Sequence, residues 1–174
     1  MTTAEYLETN ETVLPRELAY GILRVADSPI VSHQRMVGSL YLEMTAFVRR
    51  AGLGEVLLAP MDVILDYDRA LVVQPDLLFV SADRAAIVTD KVHGAPDVVV
   101  EVLSPQPRIG DLHERIEWFA KYGVRECWLA DLEKQQFAVL VLGAHGVIER
   151  RLGTGGTHVP SDILPGVVLP YMLW

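Results

Sequence analysis

The chain has 174 residues, of which 51% are hydrophobic, enough apolar material for one well-filled core and too much for a disordered chain. Fifteen Lys and Arg stand against 23 Asp and Glu, a net charge of −8, which excludes nucleic-acid binding by bulk attraction and requires any phosphate-bearing substrate to be met by local cations or a bound metal. No apolar run is long enough to cross a bilayer and no basic segment leads into an apolar stretch at the N-terminus, so the expectation is a cytoplasmic protein without membrane contact. The single cysteine, Cys127, rules out an internal disulfide and reads as a small buried hydrophobe.

In chain order, Thr3 is expected to cap a short first helix, and Glu17 to Val25 has strand character around Gly21. His33, Met36, Val37, Leu40, Tyr41, Met44, Phe47 and Val48 recur at three- and four-residue steps, which predicts a core-facing helix opened by Ser28-Pro29 and closed by Gly52. From Glu55 the period shortens to Val-, Leu- and Ile-rich runs broken by Ala59-Pro60, Asp66 to Arg69 and Gln74-Pro75, a strand meander. Val98 to Leu103 is apolar except for Glu101, as a central strand covered on both faces would be. Ser104-Pro105 ends it. A second helix follows with Ile109, Leu112, Ile116, Phe119 and Ala120 inward and Gly123 as its stop. Glu126 to Ala130 completes strand–helix–strand, Phe137 to Leu142 and Val147 to Arg151 form a hairpin, and Val167 to Trp174 closes the core or covers a partner subunit. No linker, repeat or low-complexity tract divides the chain, so residues 1–174 read as a single α/β (α+β) domain.

Two acids carry the chemistry. Asp76 starts the strand Leu77 to Val80, and Glu101 lies within the most apolar strand. An ionised carboxylate in such surroundings costs several kcal/mol unless paired or bound to a cation, so two acids converging from adjacent strands make a natural ligand set for Mg²⁺ or Mn²⁺. Each also has a plainer reading: Asp76 caps a turn after proline, and Glu101 pairs with an arginine. The remaining histidines, His93, His113, His145 and His158, have no paired metal spacing. Gly153 to Gly156 lacks the ending of a phosphate loop, and Ser104 lacks a nucleophile elbow. Arg49-Arg50 and Arg150-Arg151 read as solvated pairs.

Glu17 with Gly21, His33, Gln74-Pro75-Asp76, Ala95-Pro96-Asp97, Glu101-Val102-Leu103-Ser104-Pro105, Asp111, Tyr122-Gly123-Val124, and Trp128 with Asp131 form an ordered set. Together they resemble the Uma2 (DUF820) family of endonucleases, in the PD-(D/E)xK restriction-endonuclease-like superfamily, over most of the chain. The resemblance implies a central mixed β-sheet flanked by helices and metal-dependent hydrolysis of phosphodiester bonds in DNA. It further implies Mg²⁺ or Mn²⁺ on Asp76 and Glu101, with the Val102 carbonyl as a further ligand, Glu17 and His33 bordering the site, and a homodimer. Two departures matter. The superfamily places a lysine two residues after the second acid, where this chain has Leu103. Uma2 members move it to the next helix, four residues after an aspartate, and counting from Asp111 that position is Arg115. Arginine stabilises phosphoryl charge but cannot serve as a base. On a helical wheel Asp111, Arg115, Trp118 and Tyr122 share a flank, so Arg115 either reaches toward Glu101 or makes an ordinary pair with Asp111. Lys91 and Lys121 are weaker substitutes. The competing expectation is a catalytically weakened nuclease-fold module that binds nucleic acid or another protein, and a third is an acidic scaffold that touches no nucleic acid.

Overall fold

The computed structural model describes residues 1–10, 14–103 and 111–171. Two mixed sheets flanked by helices make up the fold. The expected endings at Ser104-Pro105 and Trp174, and the inward placement of Ile109, lie outside the described residues.

Helix α1 (Thr3–Leu7) is capped one residue earlier than expected: Thr2 is the N-cap, in a reciprocal capping box with Glu5, while the Thr3 hydroxyl is buried against the Tyr67 carbonyl. Strands β1 (Arg16–Ala19) and β2 (Ile22–Val25) form a hairpin whose two turn residues, Tyr20 and Gly21, both have positive φ. Helix α2 (Val31–Ala51) buries the predicted stripe from His33 to Val48 and ends at Gly52, whose left-handed conformation closes the last turn.

The expected meander is corrected by the pairing. β3 (Gly54–Leu58) hydrogen-bonds to β6 (Leu77–Ser81), whereas β4 (Val63–Asp66) and β5 (Leu71–Val73) leave as a hairpin for the other sheet. All four runs are rich in Val, Leu and Ile, so their local chemistry does not choose among partners. A short 3-10 segment leads to β7 (Val92–His93), and β8 (Val98–Leu103) lies at the middle of the larger sheet. Helix α3 (Leu112–Tyr122) is the crossover that a parallel β8–β9 pair requires, with β9 at Glu126–Asp131. β10 (Gln136–Gly143) and β11 (Gly146–Gly153) finish the sheet as the predicted hairpin.

The larger sheet runs β11-β10-β9-β8-β6-β3 and the smaller β2-β1-β5-β4-β7. Alternation along the strands sends Leu77, Val100 and Val102 to the α2 side, with Val167 and Leu169 from the C-terminal stretch, and Leu78, Val99 and Cys127 to the side shared by α3 and the smaller sheet. Tyr6 of α1 covers the far face of that smaller sheet. The consequence for function is that α2 and α3 approach β8 from opposite faces, and β1 arrives beside α3.

Candidate active site

Asp76 immediately precedes β6, and the β6–β8 register fixes what it faces. Leu77 pairs with Val100 in antiparallel fashion, so continuing the register by one residue sets Asp76 opposite Glu101. Opposed residues project to the same face with Cβ atoms about 5 Å apart. Because β6 begins there, the Val102 N–H lacks a strand partner on that side and donates instead to Asp76 Oδ2 at 2.7 Å. N–H and C=O of one strand residue point the same way, so the Val102 carbonyl is turned toward Asp76 as well.

Each of the other candidate residues comes from a different element. From the first turn of α2, His33 Nε2 lies 3.2 Å from Asp76 Oδ2, while its Nδ1 is buried without a partner among the described residues. A bare ring nitrogen is less costly to strand than an N–H, so Nε2 carries the proton and donates to the carboxylate. From α3, Arg115 gives Nε and Nη2 to Glu101 Oε1 at 3.2 and 2.6 Å and Nη1 to Glu17 Oε2, with Phe119 beneath its guanidinium. From β1, Glu17 takes the Gln74 N–H with its other oxygen at 2.6 Å. Asp111 makes no pair with Arg115; it caps α3 by accepting from the backbone of His113 and Glu114. That leaves the arginine free to turn inward, where its side chain is only 7% exposed.

Electrostatics follow from this crowding. Burial pushes the Glu101 carboxyl up, Arg115 pulls it back, and the negative charges of Asp76 and Glu17 push again, leaving it at about 7. Burial works against the Arg115 charge, but Glu101 and Glu17 outweigh it and hold the guanidinium protonated. Burial and the Glu101 charge likewise raise the Cys127 thiol, which therefore stays protonated and inert.

A second polar cluster adjoins the site and was not visible in the sequence. Asp62, almost fully buried, accepts from Gln74 Nε2 at 2.8 Å and Lys91 Nζ at 2.7 Å, with the Tyr6 hydroxyl at 3.0 Å. Burial raises its carboxyl, but these donors together draw it below the usual range. Gln74 thus joins the two clusters, its side chain on Asp62 and its N–H on Glu17. The motif Gln74-Pro75-Asp76 was the available signal; its glutamine acts through a fold contact that no spacing reveals. Lys91 is spent on Asp62 and Lys121 lies on the outer side of α3, so neither stands in for the missing lysine.

The donor chemistry fits a divalent cation. Three carboxylates, Glu17, Asp76 and Glu101, stand against one guanidinium, so the pocket carries excess negative charge, which adds to burial in raising the Glu101 carboxyl. Among the described residues no group of three or more His, Cys, Asp or Glu is placed to hold a metal, and Glu17 is committed to Arg115 and Gln74. A cation here would rest on Asp76, Glu101 and the Val102 carbonyl, with water completing the shell, a set suited to Mg²⁺ or Mn²⁺ and not to zinc.

Residues 4–171 match the family model Uma2, described as "Putative restriction endonuclease". Among solved structures, "a putative nuclease belonging to DUF820" from Anabaena variabilis ATCC 29413 superimposes with a TM-score of 0.80 over 99% of both chains at 18% sequence identity, a likeness of fold. No curated protein matches the chain. Among the described residues no helix is long and apolar enough to cross a membrane.

Proposed function

From the chain's membership of the Uma2 family, which supports nuclease chemistry, we propose that it is a metal-dependent endonuclease hydrolysing phosphodiester bonds in DNA. The observation that carries this reading is the opposition of Asp76 and Glu101 across β6 and β8, with Arg115 bonded to Glu101. Asp76 and Glu101 would hold Mg²⁺ or Mn²⁺. When bound, the ion lowers the pKa of a ligated water and offsets charge on the phosphoryl oxygens.

The chain's own residues do the rest. His33 and the Val102 N–H both hold Asp76 Oδ2, which orients the carboxylate. Glu17 anchors one arm of Arg115, so the permanently charged guanidinium stays beside Glu101 and meets negative charge developing at phosphorus. Neither Arg115 nor Leu103 can accept a proton, so hydrolysis proceeds without a lysine base and slowly.

The test uses the full chain with Mg²⁺ or Mn²⁺, several DNA forms, and the variants Asp76→Ala and Glu101→Gln. Metal-dependent cleavage by wild type, lost in both variants, is expected; equal behaviour of all three rejects the assignment. Arg115 and Leu103 favour one alternative, a weakened nuclease-fold module that binds nucleic acid or protein. Titrating Mn²⁺ into the chain by calorimetry separates them, since such a module needs no metal.

The same proposal treats residues 1–174 as one domain, working in the reducing cytoplasm that a lone buried cysteine suits, and as a homodimer able to address two strands. The exposed Ile22, Leu23 and Val25 on the outermost strand β2 support the dimer. A monomeric mass in light scattering at micromolar concentration would reject it.

A further inference from the structure

We propose that Tyr20 and Lys121 form a second nucleic-acid contact beside the active site, gripping the strand a few nucleotides from the bond to be cut. This rests on the nucleic-acid reading above and adds to it a binding patch that the catalytic residues do not require.

Tyr20 occupies the first turn position of the β1–β2 hairpin at φ 49°, a left-handed conformation that favours Gly, Asn or Asp. A tyrosine there is costly, and the residue is 42% exposed, so core packing does not account for it. The hairpin is nonetheless rigidly mounted on α3. The Tyr20 ring meets Trp118 edge to face at 5.8 Å, and Arg24 of β2 binds Glu114 at 2.9 Å with its guanidinium over the Trp118 ring. Tyr20 is thus a partly exposed aromatic residue held against α3, and exposed aromatic platforms bind unpaired bases regardless of sequence.

Lys121 supplies the charge. Its Nζ lies 5.8 Å from the Tyr20 ring centre and 5.1 Å from that of Tyr122, and among the described residues it makes no ion pair. The acids along this stretch are already engaged: Glu117, one turn before Lys121 on α3, by His113 at 3.3 Å, Glu114 by Arg24, and Asp66 by the Tyr122 hydroxyl at 2.8 Å and by Arg69. In a chain of net charge −8, a lysine held over aromatic rings with no carboxylate of its own is the kind of cation a phosphate can claim. Tyr122 follows Arg115 by two helical turns, about 10 Å along α3, which spans about three nucleotides at ~3.4 Å per step. Tyr20 in turn is three residues beyond Glu17 on the same hairpin. The patch therefore adjoins the site along both α3 and the β1–β2 hairpin.

The experiment measures anisotropy of a labelled oligothymidine strand with the full chain in EDTA at low salt, so that binding is read apart from cleavage. Tyr20→Ala should weaken binding about tenfold, and Tyr20→Phe should bind like wild type. Lys121→Gln should reduce the slope of log affinity against log salt by about 0.7, while Lys134→Gln, paired with Asp131 on the β9–β10 turn, should change nothing. Wild-type affinity in either Tyr20→Ala or Lys121→Gln, equal losses in Lys134→Gln, or no binding by wild type would each overturn the patch. Cleavage by wild type with an unaltered Tyr20→Ala affinity would do so while leaving the nuclease reading intact. Binding through Tyr20 and Lys121 without metal-dependent cleavage would reject the nuclease reading and keep the patch.

Discussion

Replacing Arg115 by methionine removes the one cation shared by two buried acids. The Glu17 side chain is 1% exposed and that of Glu101 12%, so neither can regain full hydration in the folded state. Removing one partner of a buried pair costs about 3–5 kcal/mol. The lower end applies here for two reasons: Glu17 keeps the Gln74 N–H, and Glu101, already near 7, can take up a proton. A loss of about 3 kcal/mol lowers the melting temperature of a chain this size by about 6–12 °C. Urea unfolding followed by tryptophan fluorescence would measure it.

The pH dependence has a definite sign. A carboxyl whose folded pKa is raised binds protons more tightly when folded than when unfolded, so its contribution is favourable at low pH and lost as pH rises through the folded value. The gap between wild type and Arg115→Met should accordingly widen from pH 5 to pH 8, and Mn²⁺ should narrow it by supplying the missing positive charge. Adding Glu17→Gln to Arg115→Met should recover part of the loss, because only one acid is then left unpaired. An Arg115→Met variant as stable as wild type at pH 8, or one whose deficit ignores both pH and Glu17→Gln, would refute this electrostatic account.

Burial raises the Asp97 carboxyl, but the Ser81 N–H and Arg84 outweigh it and hold it below its ordinary 3.8. Its stabilisation is present above that value and is lost as pH falls through the folded pKa, so wild type and Asp97→Asn should converge in stability below pH about 4, as acid titrations of fluorescence would show. His33→Ala should weaken Mn²⁺ binding about tenfold in calorimetry without abolishing folding, because it frees Asp76 to swing; unchanged affinity would remove His33 from the site. Gly54→Ala should destabilise the chain by on the order of 3 kcal/mol in urea, since φ is +148° and a Cβ would stand 2.1 Å from the Val80 carbonyl of the paired strand.

Much of the local architecture could be read directly. The three- and four-residue steps from His33 to Val48 identify α2, and the apolar run around Glu101 identifies β8, because each pattern reports burial of an element whose geometry is set by near neighbours. An acid in that run already pointed to a paired or cation-bound site. Glu17 and His33 had no such signal. Their residue types are common at surfaces and in capping turns, and only the resemblance singled them out. The Asp62 cluster was silent for the same reason: Tyr6 lies in α1 while Asp62, Gln74 and Lys91 flank β4, β5 and β7, and the four follow no period.

What the chain order alone determined was therefore the helices and their glycine stops, set by interactions within a few residues, together with an apolar run that marks the central strand and the anomaly of an acid inside it. Tertiary structure decided which of several similar Val- and Leu-rich runs pair, and hence that β3 joins β6 while β4 and β5 leave for the second sheet. It also decided that Arg115 turns from Asp111 toward Glu101 and Glu17. Strand pairing and buried ion pairs are chosen by competition among distant, chemically equivalent partners, and only the folded chain, by bringing some of them within reach, resolves that competition.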